Sequence, residues 1–101
     1  MVSYNNSVIY KIQCNDKNIK DIYIGSTTNF NQRKYRHKYC CNNKSSNSHE
    51  YKIYQFIRHN KGWDNFNMSV VKRVNCKNKP ELIKHEKSII KTLNPSLNSK
   101  V

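Results

Sequence analysis

Acidic residues are scarce in this sequence: six Asp and Glu stand against nineteen Lys and Arg, for a formal net charge of +13. The shortage runs along the whole chain and is not confined to a tail. With so few carboxylates to neutralise them, the cations favour a polyanionic partner, because each one placed near a phosphate releases a condensed counterion. Nucleic acid fits that description. An anionic membrane would select a basic amphipathic helix with a broad apolar face, and no segment has that character. Biased codon composition is a competing source of the excess, since fifteen of the nineteen cations are Lys.

Long apolar runs are missing as well. Nothing approaches the roughly 20 residues of a bilayer span, and no signal-peptide core is present, so the chain is expected to stay in the cytoplasm or nucleus, off the membrane. There is no Pro-rich linker, internal repeat or low-complexity tail, and 101 residues predict one domain over 1–101 around one core. The four cysteines, Cys14, Cys40, Cys41 and Cys76, include no C-x-x-C and no zinc-finger spacing and read as reduced thiols. A metal site built from His37, Cys40 and a distant ligand is the alternative. No G-x-x-x-x-G-K-[ST], HExxH or Ser-His-Asp order occurs, which argues against a nucleotide triphosphatase, a zinc peptidase or a serine hydrolase.

What is present has clear periodicity. "SVIYKIQC" and "DIYIGS" are rich in Ile, Val and Tyr and are joined by the turn-forming "NDKNIK", which predicts a β-hairpin. A basic helix follows from Asn29, with Thr28 or Asn29 as N-cap and with Arg33 and His37 at i and i+4 on one face. The polar "NNKSSNS" reads as a surface loop. A second helix is expected from about Ser48 to Asn60 on Ile53, Phe56 and Ile57, ending at Gly62. "FNMSVVKRV" is a third strand with Val70 and Val71 at its centre. A last helix starts near Pro80 and carries the stripe Leu82, Glu86, Ile89 and Leu93.

Glu86 is the informative member of that stripe. A carboxylate among apolar residues keeps its charge only with a cation, a metal or several donors, so it is either a ligand for a hard divalent ion or half of a salt bridge. Glu50 and Glu81 sit at helix starts, where carboxylates complement the dipole. Tyr10 and Tyr23 on the hairpin either position a water or phosphate oxygen or pack across the strands. Arg33 offers a planar fork for phosphate, and His37 a hydrogen bond or a proton, unless both are part of a solvated basic face. His49, at a helix start beside the flexible loop, is in reach of a substrate, whereas His59 and His85 read as surface or cap residues.

Taken together, "VIY" at Val8 to Tyr10, "YIG" at Tyr23 to Gly25, the segment "GSTTNFNQRKYRH", a Glu on a late helix and the closing "LNPSLN" resemble the GIY-YIG nuclease family over about residues 7 to 98. The resemblance implies an α/β (α+β) fold: a small three-stranded antiparallel sheet flanked by about three helices, in the order β-β-α-α-β-α. It also implies that the helices bring Arg33, His37 and Glu86 to one face of the sheet.

Tyr10 and Tyr23 would contact the attacking water or scissile phosphate, Tyr10 as the general base, with Lys11 or Lys34 lowering its pKa. Arg33 would stabilise the phosphorane and His37 would orient groups or move a proton. Glu86 would be the one protein ligand of a single Mg²⁺ or Mn²⁺. Gly25, as the turn after the strand, with Lys34, His49 and Asn98, would line or brace the substrate site. Val8 departs from the pattern, standing where the family has its first Gly.

The expected activity is metal-dependent endonucleolytic hydrolysis of DNA. A catalytically inactive nucleic-acid-binding module on the same scaffold is the alternative. No targeting domain is recognisable, so specificity or a double-strand break would call for a homodimer or a targeting partner protein.

Overall fold

In a computed structural model that describes residues 3–98, the chain forms one antiparallel sheet with helices on both faces. The strands are β1 (Ser7–Cys14), β2 (Ile22–Thr27) and β3 (Phe66–Val74), and the helices are α1 (Phe30–Asn42), α2 (Lys52–His59) and α3 (Lys79–Leu93). The chain order is the expected β-β-α-α-β-α, and the sheet order β2-β1-β3 puts β1 in the centre. Of the expected domain span, residues 1, 2 and 99–101 lie outside the described ones. No helix among the described residues is long and apolar enough to cross a membrane.

The period of two along β1 divides the core. Tyr10, Ile12 and Cys14 face α1 and α2, packing with Cys40, Ile53 and Ile57. Ile9 faces the other way, onto Leu82 of α3, joined by Ile24 and Val74. Full burial of each such aliphatic side chain is worth about 1.5–3 kcal/mol. On α3 the stripe is rotated from the expected one: Ile89 and Ile90 pack on the sheet, while Leu93 is 45% exposed.

β3 serves both layers through a bulge. Ile9 pairs with Lys72 and Tyr10 with Val70, so Val71 is an extra residue and the side-chain alternation flips there. Phe66 and Met68 therefore belong to the α1/α2 core, and Val74 to the α3 core. Val70 and Val71, the centre of the strand by sequence, are more than a third exposed at this bulge.

Helix ends follow local chemistry. The Asn29 side chain accepts from Gln32 N–H at 3.1 Å and Asn78 accepts from Glu81 N–H at 3.0 Å, capping α1 and α3. Pro80 lies in the first turn of α3, and Asn94, left-handed at φ 47°, ends it. Lys61 and Gly62, at φ 79° and 89°, close α2 as Gly62 N–H bonds to the Ile57 carbonyl. The start of α2 differs from expectation. Residues before Lys52 form turns, with Tyr51 N–H on the Ser48 carbonyl, and the His49 ring bonds to the Cys40 carbonyl on α1.

β2 is an edge strand, and one side chain covers part of its free edge. Asn98 accepts from Ile24 N–H at 2.8 Å and donates to the Ile24 carbonyl at 2.7 Å. The amide thus makes the two bonds that a neighbouring strand would make.

Candidate active site

Helix α1 lays Arg33 and His37 over the sheet face that carries Tyr10. The Tyr10 hydroxyl lies 2.7 Å from His37 Nε2 and accepts from Arg33 Nε at 3.2 Å, and His37 Nδ1 lies 2.8 Å from the Tyr54 hydroxyl. Arginine only donates. Either neutral tautomer makes both bonds, one phenol donating to the ring and the other accepting from it. His37 is neutral in both. Both ring nitrogens are committed to tyrosines, which rules out the alternative metal site with Cys40, itself a buried core thiol.

The surroundings enforce that neutrality. His37 is 1% exposed and is ringed by Tyr10, Tyr23, Tyr54 and Trp63, the last stacked at 18°. Burial first, and the Arg33 charge second, push its pKa down to about 3. In the unfolded chain the imidazole titrates near its ordinary 6.5, so below that pH the unfolded state binds a proton that the native state refuses. Stability is therefore expected to be level above about pH 6.5 and to fall on acidification by up to about 1.4 kcal/mol per pH unit. Urea midpoints between pH 7 and 5, above the main carboxylate range, should show this slope in wild type and a flatter one in His37→Gln. Parallel slopes would contradict the buried neutral imidazole.

Tyr10 and Tyr23 share a face because Tyr10 pairs with Gly25 and Ile12 with Tyr23. Tyr10 is fully buried; Tyr23 is half-buried. Burial is the largest influence on both phenols and raises both pKa values, Glu86 adds to the rise, and Arg33 opposes it. The cation acting on these phenols is Arg33, in place of the expected Lys11 or Lys34, and its pull does not offset burial. Gly25 is not in a turn either. It lies inside β2, where a Cβ would overlap the Tyr10 Oη and Cζ atoms, so its missing side chain makes room for the Tyr10 ring.

Glu86 arrives from the other side of the sheet. Ser26, paired with Ile9, points toward α3, and its hydroxyl donates to Glu86 Oε1 at 2.6 Å. The expectation that Arg33, His37 and Glu86 meet on one face is thus corrected: α1 and α3 flank opposite faces, and their polar groups converge around the edge strand β2, close enough for Glu86 to influence both phenols. Among the described residues Glu86 has no salt bridge, and its second oxygen has no hydrogen-bond partner.

The family model of the GIY-YIG catalytic domain matches residues 6–100. The chain belongs to the GIY-YIG family. Among solved structures, the catalytic domain of the homing endonuclease I-TevI is similar at 26% identity and TM-score 0.69, covering 93% of this chain and 95% of that one. A mutant of the catalytic domain of the intron endonuclease I-TevI is similar at 26% identity and TM-score 0.68, covering 95% and 92%. Among curated proteins none matches the chain. The GIY-YIG assignment makes this a nuclease domain.

The two GIY-YIG tripeptides are neighbours here: the Tyr of the first, Tyr10, lies across from the Gly of the second, Gly25. Val8, at the place of the first Gly, pairs with Thr27 and is buried at 3% exposure, so the strand absorbs it as an ordinary β residue. Lys34 is exposed on α1. His49 is held elsewhere, on the Cys40 carbonyl at 3.0 Å, and lines a separate cleft of about 510 Å³ with Arg58 and Glu50. Sequence reasoning misses Ser26, Tyr54 and Trp63. Ser26 directly follows the GIY-YIG glycine, which is a usable signal, whereas Tyr54 and Trp63 look like any core aromatic.

Proposed function

We propose that this GIY-YIG chain is a divalent-metal-dependent endonuclease that hydrolyses DNA phosphodiester bonds at one site along the edge of β2. The observation that carries the proposal is a carboxylate with no ion-pair partner among the described residues, in a chain of nineteen Lys and Arg, acting on the same two phenols as Arg33. Arg33 spends Nε on Tyr10 and also acts on Tyr23, so its guanidinium serves the face that carries both phenols. Glu86 would repel the phosphate that Arg33 attracts unless a cation lay between them.

The residues fit such an ion. A half-buried carboxylate with one free oxygen suits a hard cation that keeps most of its waters. Glu86 would hold Mg²⁺ or Mn²⁺, which when bound polarises a phosphate oxygen. The Arg33 Nη groups grip the phosphate and oppose its growing negative charge. Tyr23, the phenol with exposed surface, stays protonated at neutral pH and hydrogen-bonds the attacking water or a phosphate oxygen. Tyr10, sealed inside, is a positioning residue and not the general base: it fixes the Arg33 fork, and neutral His37 fixes Tyr10. Lys34 supplies phosphate contact on the exposed face of α1, and Asn98 braces the edge strand. The solved neighbours, named as homing and intron endonucleases, support an internal cut in DNA. One site makes one nick, so a double-strand break takes a second copy or a second encounter.

Purified protein incubated with supercoiled plasmid is expected to give relaxed circles before linear product in Mg²⁺ or Mn²⁺, and neither in EDTA. Retardation of the plasmid in a gel with no cutting in any metal would make the chain a binding module instead.

A further inference from the structure

A second cluster of ligating side chains lies at the start of α3, apart from the groups assigned to catalysis. Cys76 Sγ, a carboxylate oxygen of Glu81 and a ring nitrogen of His85 all lie within 4.8 Å of one another. In a tetrahedral zinc site, bond lengths of about 2.0–2.3 Å put such atoms roughly 3.3–3.8 Å apart, so a small closure completes three corners. Glu81 and His85 share a helix face at i and i+4. Cys76 is brought back to them by the N-cap bend at Asn78, and its backbone N–H is pinned to the Tyr4 carbonyl at 2.9 Å.

We propose that Cys76, Glu81 and His85 form a binding site for one thiophilic divalent ion, Zn²⁺ in the first instance, with water as the fourth ligand. The donor set decides the metal class. A thiolate and an imidazole select Zn²⁺ over Mg²⁺, which takes oxygen. Charge is also balanced: thiolate and carboxylate cancel the two positive charges, so none is left against the positive end of the helix. Binding releases the thiol proton to solvent and leaves imidazole neutral, so affinity rises with pH.

A metal-free account treats Cys76, 3% exposed, as a small core hydrophobe beside Leu82. It accounts for Glu81 through the helix dipole and for its neighbour His85 through i, i+4 spacing, but not for the sulfur lying within 4.8 Å of both. The site would staple the β3–α3 connection to the helix whose next residue is Glu86. It is independent of whether the chain cuts DNA.

Protein stripped with EDTA and titrated with Co²⁺ is expected to bind one equivalent, with a thiolate-to-cobalt charge-transfer band and the strong visible bands of tetrahedral cobalt. Zn²⁺ should abolish these bands and excess Mg²⁺ should leave them. Loss of an outer hydrogen-bond partner already weakens metal binding by about 10–100-fold, so losing a ligand should cost more. Cys76→Ser should erase the band and His85→Ala should weaken binding by more than about 100-fold. Glu86→Ala should retain both band and affinity. If Cys76→Ser fails to fold, the His85→Ala titration decides. Absence of the band in wild type, or equal affinity in His85→Ala, would overturn the proposal.

Discussion

Glu86→Ala is expected to lose DNA nicking by more than the roughly 10²–10³-fold that removal of one transition-state donor costs, while folding as wild type does. The first half follows from Glu86 being, among the described residues, the only carboxylate tied to the site strand, through Ser26 at 2.6 Å, and so the group that would hold the ion. The second half follows from what the side chain lacks. It is half-buried and takes part in no ion pair among the described residues, so its removal strands no buried charge.

Glu86→Gln keeps the shape and the oxygen facing Ser26 but not the charge, and should be as inactive as the alanine variant. Ser26→Ala leaves the charge and frees the carboxylate, so a loss of about 10–100-fold is expected, the scale of an outer partner. Initial nicking rates in Mg²⁺ or Mn²⁺, with thermal melts alongside, check all three. Cutting by Glu86→Ala at the wild-type rate would sink the assignment.

Gly25→Ala should damage stability and activity together. The residue lies within β2 and is absent from the positive φ values, so the demand on it is for space and not for an unusual backbone conformation. A methyl group there meets both Oη and Cζ of Tyr10, a ring with no exposed surface and a hydroxyl held between Arg33 and His37. The ring cannot swing to solvent without breaking those bonds. Overpacking of this kind costs about 1–3 kcal/mol. In a chain of this length each kcal/mol lowers Tm by about 4–8 °C. A displaced Tyr10 also releases the Arg33 fork, so nicking should fall. Adding Tyr10→Phe should rescue little, since the ring carbon overlaps as well as the oxygen. An unchanged Tm in Gly25→Ala would show that the ring has room to move.

The three strands and three helices were legible because each is written locally: Ile, Val and Tyr in β1 and β2, Asn29 and Asn78 as caps, Pro80 in a first turn. The pairing of Arg33 with His37 on one helix face was legible too, from i, i+4 spacing; that Tyr10 joins them was implied by the GIY-YIG resemblance and not by any local pattern. What failed were relations between elements. Periodicity on α3 gives a stripe but not the sheet face it docks on, so nothing local corrects the resemblance, which places Glu86 on the face of His37, whereas it comes from the opposite one. Sequence places Gly25 in a turn because glycine usually marks one; only the register opposite Tyr10 shows its use. An α2 that starts near Ser48 puts His49 within reach of the substrate, whereas turns before Lys52 and a bond to α1 hold it aside. The bulge at Val71 leaves no local trace, and the ring around His37 is drawn from four separate segments.

The amide of Asn98 spans 74 residues to reach Ile24, and that distance bears on the order of assembly. The β1–β2 hairpin closes over a short connection and is available early, whereas the Asn98 contact must close a long loop and adds to the slow, non-local part of folding. Until it does, Ile24 presents an unpaired amide and carbonyl to any other extended chain. A single carboxamide therefore sets how long a newly made molecule remains open to pairing with its neighbours.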